Sequence, residues 1–195
     1  MAEPLVIRET ASGYLTVSLT DEAFARREIE LAGAIDRPAA MAVIRQMRHL
    51  AAQDATAPIT LLINSGGGEV VSGLAIYDTM QTLPCPVHTL CVGEAASMAA
   101  VLLAAGEPGG RSILPSAYVM IHDPLIAGLG GSALSVEAVT SRLMQTRRNV
   151  AEIMARHTRR TVEEILEKTA RDSYFDAPGA VQFGLVDSVI ETWEV

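Results

Sequence analysis

Ser97 has the type and setting for covalent chemistry. It follows an apolar run, VHTLCVG, and a short turn, and it opens the run MAAVLLAAG. A serine at the start of a helix commonly caps it, its hydroxyl accepting a backbone N–H. The same place offers free N–H groups and the positive end of a helix dipole, which stabilise a developing oxyanion. Attack on a carbonyl is the chemistry this position allows. The surrounding GEAASMA is built of small residues that let a substrate backbone come close. It is not a G-x-S-x-G elbow.

A serine nucleophile needs a base. The chain has four histidines. His49 and His157 lie in helical stretches beside charged residues and read as surface groups, and His88 opens a strand. His122 ends the run SAYVMIH, at the carboxyl end of a strand, where α/β sheets place their sites. A structural histidine is equally common there. To act, its Nε2 must reach the Ser97 hydroxyl and its Nδ1–H must meet an acceptor. Asp123 is adjacent, and its side chain is expected to point away from the ring. Asp172, Asp176 and Asp187 remain, and spacing alone does not choose among them.

Asn64-Ser65-Gly66-Gly67-Gly68 follows another apolar run. The plain reading is a strand-to-helix turn whose glycines allow positive φ. The functional reading is a second oxyanion donor, the Gly68 N–H, beside that of Met98. A phosphate loop does not fit, since no Gly-Lys-Ser/Thr follows and Glu69 repels phosphate.

Short buried strands alternating with helices position these residues, an α/β pattern with parallel strands. Strands are expected at Glu28 to Ile35, from Ile59 through ITLLINS, at VHTLCVG and at SAYVMIH, with a strand-like LVDSVIE at the end. Ala39 to Ala52 reads as an amphipathic helix with Met41, Ile44, Met47 and Leu50 on one face. Val70 to Leu83, SMAAVLLAAG and Thr161 to Ala170 read as further helices. Ser135 to His157 is a helix of roughly 35 Å at about 1.5 Å per residue. That is long for one small domain, so part of it is expected to project onto another subunit. The first twenty residues are weakly patterned, and mobility is expected there.

The 195 residues suit one domain, 1–195, and no linker, repeat or low-complexity segment divides it. Hydrophobic residues make up 49%, and the mean hydropathy is +0.27. Apolar surface buried between subunits accounts for this best. A net charge of -8 argues against nucleic acid and anionic membranes as partners. The two cysteines, Cys85 and Cys91, lack metal-type spacing and fit a reducing compartment. No signal-peptide pattern opens the chain, and its longest apolar run is too short to span a bilayer. A cytoplasmic protein is expected.

Three segments together resemble the proteolytic subunit of Clp protease. GEAASMAAVLLAAG is similar to that family's serine-site motif, VMIHDPL to its histidine-site motif, and ARDSYFDAPGAVQFGLVDSVI to its aspartate-site segment. INSGGGEVVSG and IYDTMQ match in position, and the resemblance runs in order from about Glu28 to Ile190. It implies a crotonase-like α/β fold of repeated ββα units with a projecting handle helix in region 125–158. It implies a serine endopeptidase with Ser97 as nucleophile, His122 as general base and Asp172 as the orienting carboxylate. The oxyanion hole is then Gly68 and Met98, with Gly67, Pro124 and Leu125 against the substrate. The family stacks two seven-membered rings and degrades unfolded proteins threaded in by an AAA+ Clp ATPase. ATP is used by that partner, so no cofactor and no metal is expected in this chain.

Departures from the family pattern carry their own expectations. Gly66 stands where relatives usually carry proline, which leaves the loop looser. DPLIAGLGG, after His122, is one residue longer than usual. Thr60, Leu62 and Thr82 stand where the family's ATPase-docking pocket is rich in aromatics, which supply much of the buried area at such a pocket. Weakened ATPase docking is expected, as for a divergent paralogue that shares a mixed assembly with a second proteolytic subunit. A catalytically silent ring subunit and a crotonase-type acyl-CoA enzyme are the competing readings. Covalent labelling by a serine-reactive probe separates the acyl-CoA enzyme from the peptidase.

Overall fold

Apolar runs bounded by glycine, proline or charged residues become the strands, and the helices between them pack over the sheet. The computed structural model describes residues 4–11, 13–126, 128 and 130–192. Leu5–Thr10 (β1) and Gly13–Ser18 (β2) pair as an antiparallel hairpin separate from the main sheet. Leu5, Ile7, Tyr14 and Leu15 on it are all exposed, so no buried face imposes a pattern on this stretch. Of the segment expected to be mobile, residues 1–3 and 12 lie outside the described residues. Ser18 and Asp21 form a reciprocal capping box on helix α1 (Leu19–Ala25).

The main sheet orders β3 (Glu28–Ile35), β4 (Ile59–Gly68), β5 (Val87–Ala96), β6 (Arg111–Ile113) and β9 (Ser188–Val189), all parallel. β7 (Tyr118–Ile121) pairs with the far end of β5, and β8 (Ser173–Asp176) runs antiparallel on β7. This is the crotonase-like α/β architecture expected from the sequence. β4 is longer than its apolar run. The glycines do not leave the sheet as a turn but continue the strand to Gly68. The terminal LVDSVIE contributes only the two residues of β9.

Helix α2 (Arg37–Gln53) buries Ala40, Val43, Met47, Leu50 and Ala51. Met47 and Leu50 of the expected face are buried and Ile44 packs against the core, but Met41 is 45% exposed. Ala40 is smaller than Met41 and lets the helix backbone lie closer to its neighbours. α3 (Val70–Thr82) and α4 (Met98–Ala104) follow β4 and β5. Every residue of α4 is buried, and its apolar side chains join strands and helices in one core.

α5 (Ala133–Thr158) has 26 residues, about 39 Å at ~1.5 Å per residue. Its buried residues, Val150, Ala151, Met154 and Thr158, all lie in its final third. Leu134, Val139 and Met144 are exposed along the rest. α6 (Val162–Thr169) carries a capping box of Thr161 and Glu164, and α7 (Ala177–Phe183) is capped by Asp176.

Candidate active site

The strand β5 ends and α4 begins at Ser97, with no loop between them. This sharp reversal gives Ser97 a φ of 56° and a ψ of -122°. A non-glycine residue held at positive φ costs of order 1–3 kcal/mol, so the surroundings must over-determine it. They do so on both sides. The Ser97 N–H donates to the Met120 carbonyl of β7 at 2.8 Å, and the Ser97 carbonyl accepts from Ala100 and Val101. The hydroxyl makes no capping bond to its own helix. It lies 2.9 Å from His122 Nε2 instead.

His122 follows β7 directly, and its side chain is 15% exposed. The next residue anchors it. Asp123 accepts from Arg147 of α5 at 2.6 Å and from the Thr169 hydroxyl of α6 at 2.7 Å. Its N–H donates to the Thr169 carbonyl. The Asp123 carboxylate is thus occupied away from the imidazole, as its adjacency to His122 requires. Arg147 and Thr169 were not singled out in the sequence. Neither has a motif, and only the packing of α5 and α6 against the His122 loop brings them there.

The three remaining carboxylates have different fates. Asp176 caps α7, accepting from the Gly179 N–H at 2.8 Å. Asp187 is held by Arg111, which donates to it through Nε at 2.9 Å. Burial pushes the Asp187 carboxyl up, but the bonds from Arg111 and the backbone outweigh it and hold it below the usual carboxylate range. Asp172 faces the imidazole, its Oδ1 4.0 Å from His122 Nδ1 and its side chain 62% exposed. That separation exceeds a hydrogen bond.

The tip of β4 closes the other side. At Gly67 a Cβ would lie 2.7 Å from the Ser97 Cβ and 3.1 Å from the Met98 nitrogen. Only a glycine backbone fits this close to the serine. Gly68 is packed equally tightly on Ile35, with φ +157°. The Met98 N–H opens α4, where the first N–H groups have no acceptor within the helix. An apolar recess beside Ser97 is lined by Val70, Met98, Val101, Ile121, Pro124 and Met154, among others. Leu125, the residue after Pro124, is 79% exposed. Ala127 and Leu129, in the lengthened segment after His122, lie outside the described residues. Burial pushes the Cys91 thiol up to about 11, so it stays protonated at neutral pH and offers no competing thiolate. Among the described residues no group of acids, cysteines and histidines is arranged to hold a metal ion.

Fold and site together define a class: a crotonase-like α/β protein with a serine and a histidine in contact at the carboxyl end of its sheet. The family model for Clp protease matches residues 12–193, and the chain belongs to the Clp protease family. That family is one of serine peptidases that form rings with Clp ATPases and act on proteins. Among the described residues no helix is long and apolar enough to cross a membrane.

Proposed function

We propose that this chain is the proteolytic subunit of an ATP-dependent Clp protease and cuts peptide bonds with Ser97, His122 and Asp172. The contact of 2.9 Å between His122 Nε2 and the Ser97 hydroxyl carries this reading. His122 takes the Ser97 proton as the oxygen attacks a peptide carbonyl, then returns it to the leaving amine. The acyl-enzyme is hydrolysed by water activated in the same way. Gly68 and Met98 N–H groups hold the oxyanion, each worth about 3 kcal/mol by the general behaviour of such donors. Asp172 orients the imidazole. Its approach shortens to a hydrogen bond when the substrate complex forms, as catalytic hydrogen bonds tighten there. Gly67, Pro124 and Leu125 line the substrate path, and the recess at Pro124 favours an apolar side chain next to the scissile bond.

The chain works in the cytoplasm within heptameric rings joined through α5, on unfolded substrates fed by an AAA+ Clp ATPase. It needs no cofactor of its own. Thr60 and Leu62 are half-buried on the outward side of β4, and Thr82 is exposed at the end of α3. A surface without aromatic anchors docks the ATPase weakly, as fits a paralogue in a mixed ring. Tight binding of the purified chain to a Clp ATPase would contradict that part.

Hydrolysis of a short fluorogenic peptide by the purified chain and by Ser97→Ala tests the catalytic reading. Turnover lost in the variant supports it. Equal turnover in both overturns it. If neither turns over, a second proteolytic subunit is added and the pair compared again. Turnover that still does not appear supports the silent-subunit alternative.

A further inference from the structure

Ser65 is buried, at 1% exposure, one residue before the glycine run. Its hydroxyl donates to the Gly33 carbonyl at 2.5 Å and accepts from the Gly67 N–H at 3.1 Å. The position of this bridge in the sheet is informative. Pairing of β4 slips on both sides here. Against β3, Ala32 faces Asn64 but Ala34 faces Gly67. Against β5, Ile63 faces Cys91 but Ser65 faces Ala95. Bulges interrupt the ladder, so regular backbone bonds do not carry order across them. Gly33, at the first slip, has φ +74°. Gly66 lies within the β3–β4 slip and Gly67 and Gly68 pair with Ala34 and Ile35 just past it, and glycine has the greatest backbone freedom of any residue type. Yet Gly67 must keep its place against Ser97 and Met98.

We propose that Ser65 is a positioning residue for the reaction. Its hydroxyl spans the β3–β4 slip from Gly33 to Gly67 and fixes Gly67, and so keeps the Gly68 N–H aligned with the Met98 N–H on the oxyanion. The inference rests on the catalytic reading above and deepens it. Gly66 supplies no stiffness of its own, so the side chain of the preceding serine must supply it.

The test uses Ser65→Ala and the double variant Ser65→Ala/Gly66→Pro. Gly66 lies outside the positive-φ set, and a Cβ there meets only Glu94 Oε1, at an ordinary 3.6 Å. For each protein kcat, KM and the unfolding temperature are measured. So is the affinity for a peptide boronate, which forms a tetrahedral adduct, and for the cleaved product peptide, which does not. In Ser65→Ala, kcat is expected to fall about 10- to 100-fold, as for a displacement of up to an ångström at the reacting atoms. KM should stay within about twofold, because the lost interaction belongs to the transition state. Boronate affinity should fall with kcat while product affinity holds, and proline at 66 should restore about two- to fivefold of the loss. Unchanged kcat and boronate affinity overturn the proposal. So does a parallel loss of boronate and product affinity that proline does not restore, which marks Ser65 as merely structural. Activity that survives Ser97→Ala refutes the catalytic reading instead, so the two failures are distinguishable. Where the chain alone does not turn over, the two affinities still decide.

Discussion

Gly67→Ala adds one methyl group whose destination is known. The new Cβ would lie 2.6 Å from the Ala96 carbonyl oxygen and 2.7 Å from the Ser97 Cβ. Ordinary separations are about 3.5 Å, so the overlap is roughly 0.8–0.9 Å. Both neighbours belong to backbone or its first side-chain atom, so neither swings aside. Either the β4 tip or the Ser97 turn must shift by most of that amount. A shift of roughly 0.8 Å stretches the Ser97–His122 contact beyond hydrogen-bond range. Misplacement near 1 Å at the reacting atoms costs about 100-fold. Alanine also strains at the Gly67 φ of +91°, by about 1–2 kcal/mol. Gly109→Ala isolates that strain, since its φ is +87° and nothing lies within 4 Å of its Cβ. Peptide hydrolysis and labelling by a fluorophosphonate, measured on both variants, separate the effects. Gly67→Ala should lose about 100-fold in kcat/KM and in labelling rate. Gly109→Ala should stay within about twofold, and both should lose a few degrees of Tm. Equal activity in the two variants would refute the reasoning, because the clash would then have no consequence at Ser97.

Two other predictions concern carboxylates. On the proposed mechanism Asp172→Asn should lower kcat less than His122→Ala does, because an orienting group would act through the base and the base on the nucleophile. Steady-state peptide hydrolysis of both variants checks the order. Arg111 is the buried brace: its Nη1 donates to the carbonyls of Ala104, His157 and Gly184, and its Nε and Nη2 to Asp187. Arg111→Met should cost about 3 kcal/mol in urea unfolding by stranding those partners. The native Asp187 carboxyl is held low, so the native state binds fewer protons there than the unfolded chain. That contribution is complete above the ordinary carboxylate range of about 4 and fades as pH falls below it. Asp187→Asn should therefore lose stability at pH 7 yet show a shallower acid decline than the natural chain.

The strands β3 and β5 and the helices α3 to α6 were legible because apolar period and flanking punctuation agree there. β3 matches its expected span from Glu28 to Ile35 residue for residue. The α2 face was legible at Ile44, Met47 and Leu50 but not at its start, where packing prefers the smaller Ala40 to Met41. The continuation of β4 through Gly68 was hidden because glycines usually end strands. Their role here is set by the neighbouring Ser97 turn, which is remote in sequence. Ser97 and His122 could be named as candidates from their places at element ends. Their contact depends on β5 and β7 lying side by side, which no local pattern encodes. Asp172 needed a resemblance, because spacing did not distinguish it from Asp176 and Asp187. Their bonds to Gly179 and Arg111 leave Asp172 as the carboxylate facing the ring.

α4 carries Ser97 and has no face toward water; Met98 to Ala104 are each 3% exposed or less. In such packing an added methylene costs about 1–3 kcal/mol and a leucine truncated to alanine about 2–5 kcal/mol. Few substitutions along it are neutral, so mutational drift is closed to the segment that opens at Ser97. Variation has somewhere else to go: Leu125, 79% exposed, can change size or charge without disturbing the core. Descendants of this chain can therefore vary at Leu125 while inheriting the Ser97 turn unchanged, a frozen axle inside an adaptable rim.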